Sequence, residues 1–87
     1  MQLHILNSVA SQSRCNSSIL ADDAILLIEN AVVLSTSITT TLQVLVPIYA
    51  LQDDLLRRGI TPSKDVKIID FLQFVDLCAT YKHCLSW

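Results

Sequence analysis

The chain has 87 residues, of which 52% are hydrophobic and 16% charged, with a formal net charge of -2. One domain spanning 1-87 buries only about 60–65% of what its unfolded form exposes, and its charge content is below the usual ~25%, so an assembly subunit fits better than a free monomer. The acidic balance excludes a basic footprint for direct nucleic-acid binding, and the single glycine, Gly59, excludes a Gly-rich phosphate cradle.

Gln2 to Leu6 alternates Leu3 and Ile5 against Gln2 and His4, which predicts a first strand closed by the turn residues Asn7 and Ser8. Ser11 to Leu20 is serine-rich and weakly helical, with Cys15 and Ile19 one turn apart and Ser11 or Ser13 offered as N-cap. Asp22 and Asp23 break it. Ala24 to Ile28 is a continuous apolar run ended by Glu29 and Asn30, the pattern of a central parallel strand covered on both faces. From Ala31 to Leu42, Val32, Leu34, Ile38 and Leu42 keep roughly helical spacing against the poor helix propensity of Thr39, Thr40 and Thr41. A crossover helix here is demanded by topology more than by sequence.

Val44 to Leu51 reads as a second buried strand running straight into a short helix. Asp53 and Asp54 in its first turn meet unpaired N–H groups, Arg57 and Arg58 in its last turn meet unpaired carbonyls, and Gly59 is the C′ stop. Asp53 with Arg57 and Asp54 with Arg58 also stand at i, i+4. After a polar loop from Thr61 to Asp65, Val66, Ile68 and Ile69 suggest a further short strand. Asp70 and Gln73 then form a capping box for a helix whose Phe71, Phe74, Val75 and Cys78 define an inward face. Tyr81 to Trp87 is too short to classify, and Trp87 beside Leu85 offers a surface for a neighbour. Alternating strands and helices with short connections predict an α/β domain with a mostly parallel sheet of four to five strands flanked by helices.

Ligand sites in such sheets lie beyond the carboxyl ends of the strands, which selects Asn7 and Ser8, Glu29 and Asn30, Gln52 and Asp53, and Asp70. Each also has an ordinary use as turn or cap. Cys15 is the side chain with most chemical potential, since it follows the first strand, lies near a helix start and adjoins Arg14, both of which favour thiolate. Cys78 shares a helix face with Phe71, Phe74 and Val75 and reads as core. Cys78, His83 and Cys84 contain no paired Cys-x-x-Cys, so no metal is expected; G-x-S-x-G is absent, so hydrolase chemistry has no support; no cofactor is expected.

Three cysteines, an odd number, and the lack of a cationic, apolar leader fit a reduced cytoplasm. The uncharged stretch between Glu29 and Asp53 is interrupted by Ser35, Thr36, Ser37, Thr39, Thr40, Thr41, Gln43 and Pro47, so no membrane span is expected.

Several stretches in order resemble the DsrH-like family, to which the TusB subunits of the bacterial sulfur relay belong. They are Leu3-His4-Ile5-Leu6-Asn7-Ser8, Asp23-Ala24-Ile25-Leu26-Leu27-Ile28-Glu29-Asn30, Ile48-Tyr49-Ala50-Leu51 with Asp54-Leu55 and Arg58-Gly59, Ile68-Ile69-Asp70 with Phe74-Val75-Asp76-Leu77, and Ser86-Trp87. The resemblance covers nearly the whole chain. It implies a small DsrE-like three-layer α/β fold and a hetero-oligomer with TusC-like and TusD-like paralogous subunits. Such a complex passes persulfide sulfur from a TusA-like donor to a TusE-like acceptor, ending in 2-thiolation of the tRNA wobble uridine, or serves sulfur oxidation in related bacteria. The principal sulfur-carrying cysteine is expected on the TusD-like subunit, which leaves this chain a structural or accessory role and makes it at most a sulfurtransferase subunit. Some members carry a cysteine in the first helix, and Cys15 falls at that position, so the resemblance also implies a candidate sulfur carrier in this chain. The chain departs from the family at Asn30-Ala31, where an acid-glycine pair usually follows the second strand. A homo-oligomeric DsrE-like binding module is the remaining alternative.

Overall fold

The computed structural model describes residues 1–42 and 44–87, and Gln43, one of the polar residues interrupting the uncharged stretch, lies outside them. Five strands, β1 (Gln2–Leu6), β2 (Ala24–Leu27), β3 (Ile48–Leu51), β4 (Val66–Ile69) and β5 (His83–Ser86), form one sheet in the order β4-β3-β2-β1-β5. Every neighbouring pair is parallel. Among the described residues the helices are α1 (Ser11–Cys15), α2 (Ile38–Thr41), α3 (Gln52–Arg57) and α4 (Phe71–Thr80), with 3-10 segments at Asn16–Ser18 and Glu29–Thr36. No helix among the described residues is long and apolar enough to cross a membrane.

The two faces of the sheet are covered unequally. Leu6, Ile25, Leu27, Ile48, Ala50 and Val66 pack with Cys15 of α1, Ala31 and Val32 of the second 3-10 segment, Ile38 of α2 and Leu55 of α3. The other face, built on Leu3, Ala24, Leu26 and Ile69, is covered by Phe74, Leu77 and Cys78 of α4. This division follows from strand order. The chain steps outward from β1 to β4 with its crossovers on one side, then returns past the whole sheet to β5, and a right-handed return places α4 on the opposite side. All four residues of β2 are buried, as a central parallel strand requires.

Local signals explain most element boundaries. At Asp70 both halves of the capping box are present, the carboxylate accepting from the Gln73 N–H at 2.8 Å and the Gln73 side chain accepting from the Asp70 N–H at 2.9 Å. After α3, Gly59 takes φ +61° while Ile60 N–H bonds to the Leu55 carbonyl at 3.0 Å and Gly59 N–H to that of Leu56 at 3.3 Å, a Schellman stop. Asp54 and Arg58 pair at 3.5 Å, whereas no ion pair joins Asp53 to Arg57 among the described residues.

Four expectations are corrected. β3 begins only at Ile48 and alternates buried with half-buried residues, and Leu45 is 93% exposed, because Pro47 has no N–H for a ladder and the chain before it does not pair. The second crossover is mainly 3-10 helix, with only Ile38–Thr41 in α-helix, consistent with its threonine run. Ala10, not Ser11 or Ser13, occupies the N-cap of α1, and Ser11 is buried in the first helical turn. The inward face of α4 is Phe74, Leu77 and Cys78, while Phe71 and Val75 point outward.

Candidate functional site at the strand-order switch

In an open α/β sheet, the crevice for ligands opens where successive connections depart to opposite faces. Here that point lies between β1 and β5, since the connection after β1 runs over one face and the chain reaches β5 from the other. The residues beyond these strand ends are Asn7, Ser8, Ser11, Arg14 and Trp87. Trp87 fills the crevice, its N–H donating to the Ile5 carbonyl at 2.9 Å as a continuation of the β1–β5 ladder.

Both ends of Trp87 are held. Its carbonyl oxygen accepts from Ser11 Oγ at 2.7 Å and from Arg14 Nη2 at 3.1 Å. Ser11 Oγ in turn lies 2.9 Å from Ser8 Oγ and accepts from Arg14 Nη2 at 3.2 Å. On the ring side, Trp87 Nε1 donates to His4 Nδ1 at 3.0 Å, and the two rings stack with centroids 6.0 Å apart. An indole N–H can only donate, so Nδ1 carries no proton and the ring proton sits on Nε2. That Nε2–H donates to Asp23 Oδ2 at 2.8 Å, with both side chains fully buried.

Asp23 closes the chain of contacts. Its carboxylate also accepts from the Leu20 N–H at 2.9 Å and the Gln2 N–H at 2.9 Å. Burial alone pushes this carboxyl up, but the hydrogen bonds from His4, Leu20 and Gln2 bring it below the usual carboxylate range. An acid–histidine pair of this kind orients a catalytic imidazole where the second nitrogen faces a nucleophile. Here the second nitrogen faces an indole, so the pair has no proton acceptor to offer and serves to position Trp87.

Cys15 lies at the last position of α1, fully buried among the residues under β1 and β2. Burial pushes its thiol up, and a backbone hydrogen bond offsets only part of that. Both sequence grounds for a thiolate are reversed: the residue ends a helix instead of starting one, and the guanidinium of Arg14 is engaged by Ser11 and Trp87.

Asp54, Asn30 and Asp70, at or near the other strand ends, are engaged structurally. Asp54, one position beyond the expected Asp53, accepts the Glu29 N–H at 2.7 Å, which holds Glu29 at φ +51° and opens the second 3-10 segment. Asn30 Oδ1 accepts from Arg58 Nε at 3.2 Å and Nη2 at 2.9 Å. No group of three metal-ligating side chains occurs among the described residues. A cavity of about 370 Å³ lies at the opposite end of the sheet, lined by Thr39, Leu42, Leu45, Val46, Ile48 and Asp65 among others.

Sequence reasoning missed the Asp23–His4–Trp87 contact chain. Asp22 and Asp23 read alike as helix breakers, yet Asp22 is exposed and Asp23 buried. The difference is made by His4, nineteen positions away, and Trp87, which local patterns do not connect. Only His4 standing inside an apolar alternation hinted at a buried partner.

Comparison with known proteins finds similar chains. A family model described as DsrH like protein matches residues 7–84. Protein TusB of Buchnera aphidicola subsp. Baizongia pistaciae (strain Bp) is 38% identical over 71 residues, covering 75% of this chain and 75% of that protein.

Proposed function

This chain belongs to the DsrH-like family, and on that premise we propose that it is a structural or accessory subunit of a cytoplasmic sulfur-relay complex. The complex passes persulfide sulfur for 2-thiolation of the tRNA wobble uridine. Its partners are TusC-like and TusD-like paralogues, with a TusA-like donor and a TusE-like acceptor reached through the complex. The observation that carries the accessory role is the state of Cys15. A sulfur carrier needs an accessible thiolate, and this thiol is enclosed and held protonated by burial. The low surface charge and the exposed apolar side chains Phe71, Leu72 and Val75 support an assembly.

Native co-purification tests the assembly. Recovery with TusC-like and TusD-like subunits is expected, and a lone monomer or a homo-oligomer overturns it. The assembled complex carrying Cys15→Ser tests the accessory role. Undiminished transfer of sulfur is the expected result, whereas loss of transfer together with sulfane sulfur on wild-type Cys15 makes this chain a carrier.

A further inference from the structure

Two cysteines outside the switch-point crevice stand together. Cys84 in β5 is in register with Leu3 of β1, so its side chain leaves the sheet on the face that α4 covers. Cys78 lies on the inward side of α4 over that same face. The Cys84 Sγ is 3.8 Å from the Cys78 carbonyl oxygen and 3.7 Å from that of Tyr81. Both thiols are free, Cys84 exposed and Cys78 half-buried. Burial first, and then the adjoining Cys84 sulfur, push the Cys78 thiol up.

We infer that Cys84 and Cys78 form a reactive dithiol whose co-substrate is a small-molecule disulfide, with Cys84 as the attacking thiol and Cys78 as the resolving one. An accessible sulfur backed by a sheltered second sulfur is the arrangement that thiol–disulfide exchange requires. In the first step the Cys84 thiolate attacks one sulfur of the disulfide, forming a mixed disulfide and expelling one small thiolate. In the second, Cys78 gives its proton to solvent and attacks the Cys84 sulfur. The Cys78–Cys84 bond forms as the second small thiolate leaves. Two protein thiols are oxidised and one small disulfide is reduced to two thiols. The product ties the last turns of α4 to β5, a link suited to a transient, redox-responsive disulfide in a reducing compartment.

The test uses the full chain, first reduced and then exposed to oxidised glutathione under native conditions at low protein concentration. Trypsin cuts after Lys82, so Cys78 in peptide 68–82 and Cys84 in peptide 83–87 stay together only through the disulfide. The expected result is that linked pair from monomeric protein, with Cys15 unmodified. Cys78→Ser is expected to stop at glutathione on Cys84, and Cys84→Ser to react about tenfold more slowly or not at all. A wild-type protein that retains glutathione on Cys84, links only between chains, or reacts first at Cys15 overturns the inference. Failure here leaves the sulfur-relay reading untouched, because that reading does not use either thiol.

Discussion

At the scale of single residues, the fold depends on buried polar atoms that keep their hydrogen-bond partners. Trp87→Phe keeps an aromatic side chain and removes the indole donor to the buried His4 Nδ1. An unsatisfied buried group costs about 1–3 kcal/mol, so urea denaturation of this variant is expected to show a loss of that size with an unchanged fold by circular dichroism. Asp23 adds a pH dependence. Its carboxyl is held below its ordinary value in the folded chain, so its contribution is complete above the unfolded value of about 3.9 and is lost as pH falls through the lower folded one. The stability gap between wild type and Asp23→Asn is therefore expected to narrow as a denaturation series descends below about pH 4. Neither role is legible from nearby sequence, because His4 is nineteen positions from Asp23 and 83 from Trp87.

At the scale of elements, legibility tracks how local the cause is. The capping box at Asp70 and the stop at Gly59 depend on a few consecutive residues, and both stand where the sequence puts them. The face of α4 does not. Phe71, Phe74, Val75 and Cys78 share a helical stripe, but so do Phe74, Leu77, Cys78 and Tyr81, and an almost wholly apolar helix lets the sheet choose between them. The start of β3 is not legible for a related reason, since Val44 to Val46 are as strand-like as Ile48 to Leu51 and only pairing separates them. Gly59→Ala isolates one local cause. A Cβ at this site meets nothing within 4 Å, so its cost is conformational alone, about 1–2 kcal/mol for an L-residue in the left-handed region. Thermal denaturation is expected to show that loss, and an unchanged melting temperature would remove Gly59 from the account of the stop.

At the scale of the whole molecule, fold class is readable because four short apolar runs separated by helical or polar stretches admit few arrangements. Strand order was not, since it rests on the return of α4 across the sheet and on β5, a strand of His83, Cys84, Leu85 and Ser86 with no strand pattern of its own. β5 owes its existence to β1 and to Trp87 beyond it. Native-state hydrogen exchange is expected to follow this dependence, with β5 amides opening about tenfold or more faster than those of β2. Equal protection of the two strands would mean that β5 is an integral part of the core.

The pairing of β1 with β5 also sets an order of events during synthesis. β1 is made before β5, so one of its edges stays bare until residues 83–87 have followed. Throughout that interval His4 lacks the indole that satisfies it, and the strand presents an open template to other nascent chains. Closure of this edge of the sheet therefore waits for residues 83–87.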